Sequence, residues 1–233
     1  MPENMSALEL VLSGNPALYS IVFLSLLVSL AAVLFGGIIG IPAGAAVALT
    51  RFPGRESLIV VLNALMGLPP VVVGLAVYLL LSRAGPLGSW GILFTPTAMV
   101  IAQSILVVPL IAALTRRLVL DALREGGDQL RSLGAGAFTA ALLMLLHERL
   151  AVVTILLTAF GRAIAEVGAV MIVGGNIAGV TRVMTTAIAL ETTKGDLPLA
   201  LGLGVVLLGV VGLINAVIAL TRPRGGVVQQ AWA

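Results

Sequence analysis

The segment "LVLDALREGGDQLRSLGAGAFTAALLMLLHER", Leu118–Arg149, separates two long apolar runs and is itself too polar in its first half to be one of them. Its second half is apolar as far as His147, and its first half carries mixed charges at Asp121, Arg124, Glu125, Asp128 and Arg131. A chain that places so long a mixed-charge helix between apolar runs presents a docking surface there. The position of this segment relative to the runs around it therefore decides how the fold is interpreted.

The composition of the whole chain predicts a membrane protein. Hydrophobic residues make up 60% of the 233 residues, charged residues only 10%, and the mean hydropathy is +1.17. Because a soluble domain carries about 25% charged residues, this chain has too few charges to build a water-facing shell. The 27 glycines suit helices that approach one another closely within a bilayer.

The residue inventory excludes several kinds of site. The chain has no Cys, which removes disulfides, thiolate metal sites and cysteine nucleophiles. Its single His, His147, cannot build a histidine-rich metal site, and the sequence has no Gly-rich phosphate loop of the Walker type. The pI of about 10.2 reflects a net charge of only +3, which indicates membrane orientation rather than nucleic-acid binding. We expect no cofactor, no metal and no catalysis by this chain.

Five apolar runs are long enough to cross a bilayer, for which about 20 residues are needed. They are Tyr19–Leu49, Leu58–Leu81, Ile92–Leu114, Ala151–Gly174 and Leu197–Leu220. The first run contains the motif "GIPAG" and is too long for one upright helix, so we expect it to be tilted or kinked. The sequence therefore predicts an all-α polytopic membrane protein with about five transmembrane helices.

The basic residues set the orientation of these spans. With the N-terminus outside, nine of the 13 Lys and Arg residues lie on the cytoplasmic side, and only Arg83, Arg182 and Lys194 lie outside. The opposite orientation would invert the positive-inside bias. We therefore predict an outer segment at residues 1–18, a single membrane domain at 19–220 with a cytoplasmic loop at about 116–149, and a cytoplasmic tail at 221–233.

Within the cytoplasmic loop, the pattern predicts two short amphipathic helices that turn at Gly126-Gly127, because glycine permits sharp changes of backbone direction. A second turn is expected at Gly134–Gly136. Leucines form an apolar stripe and the charges face water. Two interpretations stay open: an interfacial helix that shields the bundle, or a helix that enters a groove on a cytoplasmic partner.

Several motifs occur in an order that is typical of a known family. They are "GIPAG" (Gly40–Gly44), "RFPGR" (Arg51–Arg55), "GLPPVVVGL" (Gly67–Leu75), "GPLGSWG" (Gly85–Gly91) and "FGRAIAEVGAVMIVGGNIAGVTRVMTTAIALET" (Phe160–Thr192). In this arrangement the chain resembles the permease subunits of molybdate/tungstate ABC importers, and the last motif is most similar to the tungstate branch. In the loop, Gly134 matches the glycine of the family, whereas the acidic, alanine and later proline positions of the family pattern differ here.

The resemblance implies a type I ABC importer permease fold, a homodimer in the cell inner membrane, cytoplasmic ABC ATPase subunits and an extracytoplasmic oxyanion-binding protein, with lipid around it and no nucleic acid. The residues expected to couple to the ATPase are Asp121, Arg124, Glu125, Asp128, Arg131, Leu133, Gly134, Ala135 and Gly136. Those expected at the translocation pathway or its gate are Pro69, Pro70, Arg162, Glu166, Gly174, Gly175, Asn176, Thr181 and Arg182.

Two proline motifs also have a purely local interpretation. In "RFPGR", Pro53 fixes φ and Gly54 permits a positive φ, which predicts a type II turn between two spans. Pro69 and Pro70 remove two backbone donors and are expected to start or kink the second span. A structural kink accounts for them without substrate contact, although a kinked helix beside the pathway would also serve as a gate hinge.

Arg162 and Glu166 are four residues apart in an apolar span, which would place them on one helix face. A charge at mid-bilayer costs about 2.5–3.5 kcal/mol on insertion scales. One interpretation is a buried ion pair that fixes helix register in a dimer. A second is that Arg162 offers positive potential to an anion while Glu166 holds it in place, and a third is a proton relay at Glu166.

The segment Gly175–Asp196 is too polar to span a membrane and too apolar to be fully exposed. Its glycine and threonine donors, together with Arg182, suit a transient site for a dianion that must also leave. The alternative is an interfacial or re-entrant helix that contacts an outer partner.

Three kinds of function remain open for the whole chain. The first is a transport permease driven by a separate ATPase for tungstate, with molybdate or sulfate as other substrates. The second is a stand-alone channel or secondary anion carrier, which would usually show inverted internal repeats that this sequence lacks. The third is a membrane scaffold, which would not need paired prolines or charges within a span.

Overall fold

The computed structural model describes residues 16–221, which form a bundle of helices. In this range the helices are α1 (Pro16–Leu49), α2 (Arg55–Met66), α3 (Pro70–Leu81), α4 (Pro96–Ser132), α5 (Ala137–His147), α6 (Arg149–Ile164), α7 (Gly168–Gly174), α8 (Met184–Lys194) and α9 (Leu197–Thr221). A short 3-10 helix lies at Gly88–Trp90, and no strand occurs between residues 16 and 221. The all-α prediction is confirmed. Most of the predicted outer segment, 1–15, and the tail, 222–233, lie outside the described residues.

Three helices, α1, α4 and α9, are long and apolar enough to cross a membrane. Two bent pairs raise the number to five if each is one span: α2 and α3, which meet at 98°, and α5 and α6, which meet at 75°. The chain is therefore polytopic, as predicted. The prediction of one span over Ala151–Gly174 is wrong in detail, because the helix there is interrupted between Ile164 and Gly168.

The helices α1 and α4 form the central pair of the bundle. Three glycines of α1, each four residues apart, face α4 and let the two backbones approach. A Cβ atom at Gly36 would lie 2.7 Å from Val107 Cγ2, and one at Gly40 would lie 2.9 Å from Ile111 Cβ. Although the first apolar run was expected to tilt or kink, α1 stays continuous through Pro42.

The helix α4 runs well past the predicted end of its span at Leu114. Its 37 residues correspond to about 55 Å at 1.5 Å per residue, against a hydrocarbon core of about 30 Å. The helix therefore carries its charged end out of the bilayer. The predicted turn at Gly126-Gly127 is wrong, because α4 continues through both glycines and a Cβ at Gly126 would lie only 2.9 Å from Met144 Cε on α5.

The short connections between helices agree with the turns that their Pro and Gly residues predict. Gly54 has φ 88° and ψ 0°, and the Arg55 N–H donates to Phe52 O at 3.2 Å, so the predicted type II turn is confirmed. The break at Pro69 is also confirmed, with Pro70 as the first residue of α3. Beyond this break, α3 packs directly on α7: a Cβ at Gly74 would lie 2.7 Å from Ala169 Cα.

Candidate functional site

The break between α6 and α7 lies in the packed part of the bundle, where freed backbone groups need partners from the protein. The Ala163 carbonyl accepts hydrogen bonds from the Glu166 N–H at 3.2 Å and from Gln103 Nε2 at 2.9 Å. The Glu166 carbonyl accepts one from Thr185 Oγ1 at 2.8 Å. Side chains of α4 and α8 therefore stabilise an interruption that no proline creates.

The Glu166 side chain serves the same break. It is 9% exposed, and its Oε1 accepts a hydrogen bond from the Ala169 N–H at 3.1 Å, in the first turn of α7. A carboxylate at this place satisfies one of the free amides of a helix start and complements its dipole. Glu166 is therefore a capping residue, and neither the interpretation as a partner for Arg162 nor that as a proton relay is needed to explain it.

Arg162 has a different environment. It lies in the last turn of α6, and its side chain is exposed in the isolated chain. Among residues 16–221, no hydrogen bond or salt bridge joins it to Glu166 or to another side chain. Within one copy these two residues form no ion pair, because Glu166 lies in the break rather than one turn further along the same helix.

The segment after α7 forms a tight loop of its own. Gly175 and Asn176 have φ of 69° and 50°, in the left-handed region. Thr181 is fully buried; its Oγ1 donates to the Gly174 carbonyl at 2.6 Å and accepts from the Ile177 N–H at 2.9 Å. The hydroxyls predicted as anion donors are thus used within the loop, and they rigidify it.

Arg182 contacts acidic and backbone oxygens. Its Nη1 lies 3.8 Å from Glu191 Oε1, and its Nη2 donates to the Asn176 carbonyl at 3.4 Å. Glu191 is shared with Lys194, whose Nζ lies 3.0 Å from the same oxygen. Two cations thus surround one buried carboxylate, while Asp196 at the end of the segment balances the second of them. In the same loop, Asn176 Oδ1 and Arg182 Nε are buried without a hydrogen-bond partner.

The prolines are close to these elements but serve a separate role. Pro69 and Pro70 make the bend from which α3 runs up to α7, and a Cβ at Gly168 would lie 2.7 Å from Val71 Cγ2. The structure thus brings the bend at Pro69 and the break at Glu166 to the starts of two helices in direct contact, whereas Arg162 lies on α6 and Gly175, Asn176, Thr181 and Arg182 lie in the loop after α7.

The tip between α4 and α5 consists of Leu133, Gly134, Ala135 and Gly136. Gly134 has φ 85°, and the Ala135 N–H donates to the Leu130 carbonyl at 3.0 Å, which is a helix ending of the Schellman type. The predicted turn is confirmed here. Leu133 is 82% exposed, and Phe138, in the first turn of α5, is 77% exposed. Two large apolar side chains therefore project at the tip and directly after it.

The predicted charged residues lie along the end of α4. Asp121 and Arg124 form an exposed ion pair at 3.4 Å, and Glu125 and Asp128 are also exposed, whereas the side chain of Arg131 is outside the described part. Between α4 and α5 lies a cavity of about 440 Å³, whose polar lining residues are Glu125, Gln129, His147 and Glu148. No local pattern indicated that His147 would line a cavity with the end of α4.

Sequence reasoning also missed Gln103 and Thr185. A lone amide inside the apolar run Ile92–Leu114 was the available signal for Gln103. Within the described residues, no group of three or more His, Asp or Glu side chains could hold a metal ion. The candidate site therefore consists of the arginines Arg162 and Arg182 and the backbone of the break and loop.

The class of protein follows from three features together: membrane-length helices, a helix break beside the unpaired Arg162, and a separate charged loop. They define a membrane transport subunit.

No protein-family model matches the chain. It is 45% identical over 213 residues to the tungstate uptake system permease protein TupB of Peptoclostridium acidaminophilum, covering 91% of this chain and 93% of that protein. It is 42% identical to a probable anion ABC transporter permease protein of Haloferax volcanii, covering 89% and 91%. A sulfate transport system permease protein CysW of Synechocystis is 30% identical, covering 86% and 76%.

The chain belongs to the ABC-transporter permease family that includes these anion-uptake proteins. It is a multi-pass protein of the inner membrane and a subunit of a transport system. The resemblance that the motifs indicated is confirmed across nearly the whole chain.

Proposed function

We propose that this chain is the membrane-spanning permease subunit of an ABC importer for a tetrahedral oxyanion, with tungstate as its substrate. The similarity to TupB over 91% of the chain supports the substrate. The observation that carries the mechanism is Arg162, an exposed guanidinium beside a helix break in which the Ala163 and Glu166 carbonyls and the Glu166 carboxylate are hydrogen-bonded inside the protein.

Arg162 supplies the positive potential for a dianion that passes the break. Because Thr181 and Thr185 hydroxyls are already bonded to backbone carbonyls, few donors remain for the anion. One strong cation with few further donors binds a dianion weakly enough for it to leave, which conduction requires. Gly174, Gly175, Asn176 and Arg182 guide the anion on the outer side.

The gate lies where α3 meets α7. Backbone contact between Gly74 and Ala169 makes the two helices move together, and the bend at Pro69 and Pro70 is the hinge. A shift of the break would then change the exposure of Arg162 to the two sides of the membrane.

The proposed partners rest on the similarity to ABC permeases, and the side on which each docks rests on an orientation with the N-terminus outside. Two copies enclose the pathway, since one bundle with this few spans encloses a pore with difficulty. Cytoplasmic ABC ATPase subunits dock on the tip Leu133–Gly136 and the charged face with Asp121, Arg124, Glu125, Asp128 and Arg131, and an extracytoplasmic oxyanion-binding protein docks outside. The exposed Leu133 and Phe138 support a protein partner at the tip. ATP hydrolysis then belongs to the partner, and this chain is non-catalytic.

Molybdate is the second candidate substrate because it has the same charge and shape as tungstate. Sulfate is a third, supported by the 30% identity to a sulfate transport permease. A secondary carrier or channel would transport the anion without ATP, so energy dependence separates these classes.

The test is uptake into proteoliposomes that contain this chain, its ATPase and its binding protein. We expect tungstate accumulation that requires ATP inside and loaded binding protein outside, with competition by molybdate and none by sulfate. Accumulation without ATP would contradict the ABC mechanism and favour a carrier. Uptake of sulfate but not of tungstate would contradict tungstate as the substrate.

A further inference from the structure

Gln103 is the only described residue of α4 whose side chain reaches the break between α6 and α7 by a hydrogen bond. It is 3% exposed, and its Nε2 donates to the Ala163 carbonyl at 2.9 Å across 60 positions of sequence. Ala163 directly follows Arg162 and lies in the last turn of α6. Gln103 therefore fixes the residue next to the proposed cation relative to α4.

The other half of this amide has no partner. Gln103 Oε1 is buried without a hydrogen bond, although an unpaired buried acceptor is costly. It borders a narrow gap, too small to hold a water molecule, whose other lining residues are Leu106, Val107, Arg162, Ala163 and Glu166. Among these lining residues the side-chain donor is the Arg162 guanidinium, because the Glu166 carboxylate only accepts hydrogen bonds. Gln103 Oε1 and Arg162 thus border the same gap.

The helix that carries Gln103 is continuous from Pro96 to Ser132. Its far end forms the charged face and leads directly into the tip at Leu133–Gly136. A displacement of that end is transmitted to Gln103 along this continuous helix, which contains Pro109, Gly126 and Gly127. Movement at the docking surface therefore reaches Ala163 through the Gln103 hydrogen bond, in addition to the apolar packing of Val107 and Ile111 against α6.

We propose that Gln103 is a positioning residue for Arg162, which links α4 to the end of α6 and so converts movement of the cytoplasmic loop into movement of the cation. This inference rests on the proposed function. Gln103 need not touch the anion to act in this way.

The experiment compares the ratio of anion transported to ATP hydrolysed in the reconstituted complex. Gln103→Leu removes both polar atoms, keeps the bulk and leaves Ala163 O its bond from Glu166, so the protein should stay folded. We expect the ratio to fall about tenfold while binding-protein-stimulated ATPase activity is kept. The matched control is Ser104→Ala, the next residue of α4, whose hydroxyl bonds Ala32 O on α1 at 3.4 Å.

The outcomes are distinct. A lower ratio in Gln103→Leu with a normal ratio in Ser104→Ala supports the proposal. An unchanged ratio overturns it, and so does a parallel fall of uptake, ATPase activity and detergent melting temperature, which would mark Gln103 as structural only. If the wild-type complex itself shows no ATP-driven uptake, the proposed function fails and the role of Gln103 falls with it.

Discussion

The break at Glu166 and the tip at Gly134 both interrupt helices, but they differ in how far the rest of the chain buries them and bonds to their polar groups. At the break, Gln103, Glu166 and Thr185 satisfy backbone groups, and the polar atoms are buried. At the tip, Leu133 and Phe138 project outward without covering neighbours. The break is completed within the chain, whereas the tip needs a partner to cover it. Loss of the Glu166 carboxylate should therefore damage folding, whereas substitutions at the tip should damage coupling.

Arg162 is the exception within the break and gives the largest expected effect. Arg162→Ala should lower ATP-driven uptake about 100-fold, since removing one charged partner of an ion contact costs about 2–5 kcal/mol. Thermal stability in detergent should change little, because no described side chain pairs with Arg162. Arg83→Ala, an exposed arginine away from the break, is the control for loss of charge.

The same variant tests whether Arg162 is structural after all. A melting temperature that falls together with uptake would contradict a pathway role. In the double variant Arg162→Ala with Glu166→Ala, the two free energies of unfolding should add within about 0.5 kcal/mol, as for residues without contact. A double variant milder than that sum would restore the ion pair.

Glu166 should show the opposite behaviour and a smaller effect. Glu166→Ala removes the acceptor for the Ala169 N–H, which should cost about 1–3 kcal/mol of stability and lower the melting temperature by several degrees. Glu166→Gln keeps an oxygen at the same place and should retain most of the stability. If Glu166→Gln lost as much as Glu166→Ala, the charge rather than the hydrogen bond would be what stabilises α7.

These two residues also show what the sequence could not predict. The break has no proline, and its partners Gln103 and Thr185 lie 60 and 19 positions from the carbonyls that they bind. A local pattern contains no information on such contacts, so the apolar run around Arg162 was interpreted as one helix. The turns at Gly54 and Gly134 were predictable, since a positive φ at glycine is a local requirement.

The tip at Gly134 offers the next prediction. Gly134 has φ 85° with open space around its Cα, so a side chain there meets no neighbour but strains the backbone. Gly134→Val should cost about 1–2 kcal/mol and reduce binding-protein-stimulated ATPase activity several-fold, with the protein still in the membrane. Gly136 has φ −66° and open space, so Gly136→Ala is the matched control and should behave as wild type.

Unchanged stimulation and uptake in Gly134→Val would remove the docking interpretation of the tip.

The nearby pair Gly126-Gly127 explains why glycine alone is a poor guide to such turns. A Cβ at Gly126 would press on Met144 of α5, so this glycine permits close packing of two helices. Glycine thus permits a positive φ at Gly134 and close helix packing at Gly126, and only the structure distinguishes these two roles.

The smallest expected effect concerns the choice between tungstate and molybdate. Both are tetrahedral dianions of nearly equal size, and the break offers one unpaired cation and few free donors with which to separate them. Selection should therefore reside in the binding protein, whose closed site can desolvate and coordinate the anion. Replacing it by a molybdate-selective binding protein that docks on this permease should give ATP-driven molybdate uptake at a rate close to that for tungstate. If docking and ATPase stimulation are measured and molybdate still does not pass, the permease itself discriminates, and the site around Arg162 must hold more donors than the break provides.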